Sequence, residues 1–186
     1  MRHIALFSQT GSEIAGLMKN GFTPDFVYYD QKDEDRIHPF VLKWHDRCPI
    51  PKDKVKNVKY LRKCFGNPKT CFITLHGWLN ILPKEICEEY EVYNGHPGYI
   101  IDYPELKGKD PQARAFLCKE RYRFIGCVLH RVIPEVDEGE ILRSKRLPNV
   151  YESVEGIIDA CARISLSLWV DFLTVKKLNE KIKTNR

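Results

Sequence analysis

Apolar and polar positions alternate in blocks along the first half of the chain. Residues 3–7 (HIALF) form a short apolar run that closes on a turn at Gly11, after which Ile14, Leu17 and Met18 recur at helical spacing. A short apolar run predicts a strand, and recurrence at three and four residues predicts a helix, so the opening reads strand, turn, helix. Residues 24–29 (PDFVYY) predict a second strand. Residues 70–75 (TCFITL) are apolar almost without interruption, as expected of a strand covered on both faces in a parallel sheet. Residues 83–90 predict a helix that begins on Pro83, proline being favoured at the first helical position. Residues 91–94 predict a short strand, 95–110 a glycine- and proline-rich loop, and 111–119 another helix. Segment 30–68 is dense in charge and offers only a weak helical period over residues 55–64.

The second half differs. Residues 124–133 (FIGCVLHRVI) and 140–147 predict two strands that pair as a hairpin around residues 137–139. Val154, Ile157, Ile158, Cys161, Ile164, Leu168, Phe172 and Val175 then trace the stripe of a long helix packed along the sheet. Strands alternating with helices predict an α/β fold: a mostly parallel sheet flanked by helices, with an antiparallel strand pair late in the chain. Residues 1–186 are expected to form a single domain, since that length suffices for one core. In open α/β sheets ligands bind beyond the carboxyl ends of the strands, so functional residues are sought after HIALF, TCFITL and EVYN.

Composition narrows the function classes. Apolar residues are 43% and charged residues 30%, an ordinary globular balance. The uncharged stretch 70–83 is too short to span a bilayer, and the N-terminus turns polar too early for a secretory signal. Seven cysteines, odd in number and without a CxxC pair, predict free thiols in a cytoplasmic protein and neither disulfides nor a metal site. The net charge of +5 gathers in two lysine-rich stretches that read as solvated faces, so neither nucleic acid nor membrane is expected as a partner.

Three places could carry chemistry. Gly11 and Ser12 open the first helix, where backbone N–H groups favour an anion. After EVYN stands Asn94-Gly95-His96-Pro97: an amide suits an oxygen that gains negative charge, and an imidazole suits proton movement near neutrality. The same tetrapeptide is also ordinary turn chemistry. Val136-Asp137-Glu138-Gly139 reads as a hairpin turn, but folded back over His96 it would let Asp137 orient that ring. His130 reads as a hydrogen-bonded core histidine.

Taken in order, YNGHPGYIIDYPELKG and GCVLHRVIPEVDEGEIL resemble the folate-dependent formyltransferase family, whose members share an asparagine, a histidine two residues later and an aspartate further on. FITLHGWLNILPKEI is similar to the family's apolar strand, folate-pocket loop and following helix, and LKGKDPQARAF to its glycine-x-x-proline loop. His130 stands where many members have a histidine. At the N-terminus, IALFSQTGSE resembles the phosphate-binding turn of the glycinamide ribonucleotide branch, the nearest architecture. The resemblance implies a Rossmann-like formyltransferase fold and an enzyme that moves a formyl group from 10-formyltetrahydrofolate, without a metal, to the primary amine of a small phosphorylated or nucleotide-linked acceptor. Asn94, His96 and Asp137 would be catalytic. Leu79, Asn80, Ile81, Leu82, Val136, Glu138 and Gly139 would hold the folate, and Gly11, Ser12, Gly108 and Pro111 the acceptor.

The chain departs from that branch at Glu13, where asparagine is usual, and at Ala162 or Arg163, where a glutamate contacts the substrate ribose. A second domain after residue 176, of the kind that transfer-RNA and nucleotide-sugar members carry, is not expected. A formyltetrahydrofolate hydrolase is the alternative within the fold. A catalytically idle folate- or nucleotide-binding module is the alternative outside it, but binding alone does not need Asn94, His96 and Asp137 together.

Overall fold

The computed structural model describes residues 1–184. Among the described residues seven strands run in the order β3-β2-β1-β4-β5-β6-β7. The chain divides into two compact units: residues 1–94 with 132–135, and residues 95–131 with 136 onward.

In the first unit, β1 (Arg2–Phe7) pairs in parallel with β2 (Phe26–Tyr29) on one side and β4 (Cys71–Leu75) on the other. β2 in turn pairs with β3 (Arg47–Pro49), and β4 with β5 (Glu91–His96), both parallel. Successive strand residues face opposite sides. Ile4 and Leu6 of β1 therefore join Ile73, Leu75, Leu61 and Phe65 in one core, while Ala5 and Phe7 join Val27, Tyr29 and Ile14 in another. Both faces are covered by helices: Ile14 belongs to α1 (Ser12–Lys19), Val41 to the short α2 (Pro39–Leu42), Leu61 to α3 (Val58–Phe65) and Ile86 to α4 (Lys84–Glu89). This two-sided burial explains the uninterrupted apolar runs of β1 and β4.

The second unit begins inside β5, whose last residues are Gly95 and His96. α5 (Pro111–Leu117) follows with proline at its first position. Then β6 (Phe124–Arg131) pairs antiparallel with β7 (Ile141–Pro148), with a register shift between Leu129 and His130. The 31-residue α6 (Val154–Thr184) packs Ile157, Cys161, Ile164 and Leu168 onto Ile125 and Cys127 of β6. β7 is exposed along most of its length and carries Arg143, Lys145 and Arg146, charges that discourage another strand from adding there.

Three sequence expectations shift. Pro83 occupies the position before the α4 helix, in extended conformation (ψ 145), and the helix starts at Lys84. The β5 strand continues past Asn94 to His96, so Gly95 and His96 are strand residues and not part of a loop. Gly95 is there for close approach: a Cβ on it would sit 2.8 Å from Trp169 Nε1 and 3.2 Å from Ser165 Oγ, both on α6. Segment 30–68 contains α2, β3 and α3, and only α3 had a sequence signal. All seven cysteines are free. Among the described residues no helix is long and apolar enough to cross a membrane.

Candidate active site

In the second unit the loop between β6 and β7 carries Asp137 back to two imidazoles. Asp137 adopts a left-handed backbone (φ 55), which aspartate tolerates better than most residues. Its Oδ2 lies 3.3 Å from His96 Nδ1, and its Oδ1 lies 3.3 Å from His130 Nε2. All three side chains are at most 8% exposed. Oδ2 also accepts the Gly108 N–H at 2.9 Å. His96 Nε2 faces the Leu106 carbonyl oxygen at 2.9 Å, and His130 Nδ1 faces the Arg131 carbonyl oxygen at 2.9 Å. The register shift just before His130 is the kind of bulge that re-aims a strand side chain.

The segment that supplies Leu106 and Gly108 is fastened by Arg114 of α5. Its guanidinium donates to the carbonyls of Lys107 and Lys109, each at 2.8 Å, and to that of Glu105. Lys107 Nζ in turn meets Glu138 Oε1 at 2.7 Å. The sequence offered no sign of Arg114, because a single arginine near a helix start is indistinguishable from a solvated one.

Protons in this cluster are finely balanced. Each nitrogen of His96 faces an oxygen that accepts, so only the imidazolium would satisfy both contacts. Burial acts the other way and pushes the His96 pKa below its ordinary 6.5, against the pull of Asp137 and the Leu106 carbonyl. Burial pushes the Asp137 carboxyl up. The hydrogen bond from His130, the charge of His96 and the Gly108 N–H outweigh it and leave the carboxyl below its ordinary 3.8. An ionised carboxylate beside a reluctantly protonated imidazole can take up and return a proton at small cost.

The lowered His96 pKa has a stability consequence. As pH falls below 6.5 the unfolded chain takes up a proton at this histidine while the folded chain does not. The unfolded state then binds more protons, so stability is lost as pH falls through that window and levels off at the lowered folded value. Urea unfolding from pH 7.5 downward should show a shallower loss in His96→Gln than in wild type. Parallel curves for the two proteins would refute it.

The remaining candidate residues are placed as follows. Asn94 is half-buried on β5, in register with Leu75 of β4. It stands two residues before His96 in the sequence of β5. Leu79 and Ile81 are 67% and 62% exposed, Leu82 is buried, and Asn80 Nδ2 donates to Asp30 Oδ2 at 2.6 Å. The Leu79 N–H donates to Ser8 Oγ at 2.9 Å. In the second unit Val136 is 50% exposed and Glu138 is tied to Lys107. Gly139 lies so close to Arg131 that a Cβ on it would fall 1.7 Å from the Arg131 carbonyl oxygen. Gly108 serves Asp137 through its N–H, and Pro111 opens α5. Gly11 is left-handed (φ 68) over the Phe7 ring, and the Ser12 N–H donates to Thr10 Oγ1 at 3.3 Å.

No protein-family model matches the chain. A phosphoribosylglycinamide formyltransferase of Dictyostelium discoideum is 33% identical over 96 residues, a match that spans 45% of each chain. The crystal structure of phosphoribosylglycinamide formyltransferase from Anaplasma phagocytophilum superposes with a TM-score of 0.81 at 18% identity, covering 96% of this chain and 88% of that one. A formyltetrahydrofolate deformylase from Pseudomonas syringae superposes with a TM-score of 0.69 at 18% identity, covering 89% of this chain and 57% of the deformylase. The formyltransferase fold is thereby the fold of this chain.

Proposed function

We propose that this chain, acting as one formyltransferase-like domain, moves a formyl group from 10-formyltetrahydrofolate to the primary amine of a small phosphorylated or nucleotide-linked acceptor. The observation that carries the reading is Asp137 held between His96 and His130. A buried carboxylate with two imidazoles is more polar machinery than a plain hairpin turn needs. The exposed Leu79 and Ile81 beside buried Leu82 fit a flat pterin. The donor, when bound, supplies the formyl carbon as the electrophile.

The residues then have distinct tasks. Asn94 donates an amide N–H to the formyl oxygen as it gains negative charge. His96 takes the proton that the attacking amine releases as its bond to the formyl carbon forms. That proton is handed on to the folate nitrogen as its own bond to the carbon breaks, so the transfer balances. Asp137 keeps the His96 ring oriented and favours its charged form, and His130 with the Gly108 N–H keeps Asp137 ionised. The free thiols support a cytoplasmic setting.

The deformylase likeness favours one second reading, in which water replaces the amine. Purified protein given 10-formyltetrahydrofolate alone should release tetrahydrofolate slowly, and an acceptor amine should accelerate release strongly. Rapid release with water as sole acceptor would establish the hydrolase instead. In the same preparation, tetrahydrofolate at about one hundred times its Kd should add about 2.7 kcal/mol of stability by mass action. A folded protein whose melting temperature ignores millimolar folate would not be a folate enzyme.

A further inference from the structure

Glu13 follows Ser12 in the first turn of α1, and it is anchored from below. Its Oε2 lies 2.7 Å from Nδ1 of His76, whose side chain is 0% exposed against 21% for Glu13. The other ring nitrogen of His76 lies 2.8 Å from Thr74 Oγ1, and His3 Nε2 lies 2.7 Å from the same hydroxyl. His3, Thr74 and His76 are all buried, on or just beyond the adjacent strands β1 and β4.

A carboxylate only accepts, so His76 carries a proton on Nδ1. Its Nε2 can then accept from the Thr74 hydroxyl, and that oxygen accepts from His3 Nε2–H. The Thr74 hydroxyl also approaches the Ile4 carbonyl at 3.5 Å, a much longer contact than its 2.8 Å approach to His76. The chain His3–Thr74–His76 positions the Glu13 carboxylate. Oε1 of Glu13 has no partner among the described residues.

A second carboxylate stands at the same strand ends. Asp30 follows β2 directly, and its N–H donates to the Phe7 carbonyl at the end of β1. Its Oδ2 takes Asn80, while its Oδ1 is buried with no hydrogen-bond partner. Neither carboxylate is ion-paired with a lysine or arginine among the described residues. The Ser12 N–H, which would greet an anion, is already taken by Thr10. A buried acceptor left open and a pinned acceptor left half-open both call for a donor.

We infer that the β1–α1 turn excludes a phosphate monoester and takes a hydrogen-bond-donating end of the acceptor, hydroxyls or an ammonium group. Glu13 is the residue that sets this specificity, and His76 positions it. The substrate side of the inference rests on the formyl-transfer reading, whereas the exclusion of phosphate does not. Within the acceptor class proposed above it selects amines whose phosphate, if present, lies away from this turn.

The test has two arms on the full chain. In the first, backbone amide spectra of wild type and Glu13→Gln are titrated with inorganic phosphate. The Glu13 and Ile14 amides of wild type should stay unmoved, while the variant should saturate with at least about tenfold tighter binding, because a like charge within a few ångströms has been removed. Equal binding by both proteins overturns the inference whatever the enzyme does. In the second arm, with 10-formyltetrahydrofolate as donor, one amine is offered with and without a phosphate ester at its far end. Wild type should prefer the unphosphorylated amine in kcat/KM by about tenfold or more, with hydroxyl-bearing and ammonium-bearing amines compared side by side, and Glu13→Gln should erase the preference. A wild-type preference for the phosphorylated amine overturns the inference. Failure to formylate any amine would sink the formyl-transfer reading instead, and leave the phosphate arm to decide this one.

Discussion

Replacing His96 with alanine is expected to lower kcat by about 10²–10⁴, the usual worth of a positioned acid–base group. Folate affinity should change far less, since the lost interaction belongs to the transition state. The fold should survive, because Asp137 keeps His130 and the Gly108 N–H as partners. Asn94→Ala should cost about 10²–10³ for loss of an oxyanion donor. The two residues serve one event, so the double variant should be much less damaged than the product of the singles. Single-turnover rates and folate affinities for the three variants, with melting temperatures beside them, decide the matter. Normal turnover in all three would place the chemistry elsewhere in the molecule.

Gly139→Ala should be the most damaging conservative change in the loop that presents Asp137. The new methyl would lie 1.7 Å from the Arg131 carbonyl oxygen and 2.8 Å from its carbon, which are backbone atoms unable to rotate aside. The same loop is closed by the Arg131 N–H donating to the Glu140 carbonyl at 2.9 Å, so the methyl must push that closure open. Overpacking against rigid atoms costs up to about 3 kcal/mol or more. For a chain of this length that is a melting temperature lower by about 6–12 °C. Turnover should fall too, as Asp137 loses its fixed place. A variant that melts with wild type would mean that the loop is far looser than its contacts suggest.

The strands and the final helix were legible because their signals are local. β1 and β4 are apolar run by run, and the α6 stripe repeats over many turns. β3 was not legible because nothing in Arg47-Cys48-Pro49 favours a strand, which exists through pairing with residues 27–29 of β2. Gly95 and His96 passed for the start of a loop by composition. Gly95 is instead a strand residue beneath Trp169, a constraint that comes from α6 far along the chain.

The candidate site was legible only as an ordered set of residue types. That Asp137 would meet His130 as well as His96 depends on a shifted register, which has no signature in the sequence. Glu13 looked like a misplaced charge for a similar reason. The hydroxyl of Thr74 lay inside a stretch that reads as plain apolar strand, and its partner His76 directly after it.

The free thiols sort themselves by depth in a useful way. Cys48 and Cys118 are exposed, while Cys71 and Cys87 are buried in the first unit and Cys127 and Cys161 in the second. A pulse of alkylating reagent, read by mass spectrometry, would mark the two exposed sulfurs at once and each inner pair only when its own unit opens. The protein thus carries a separate clock in each half, and whether the two keep the same time would tell if unfolding is one event or two.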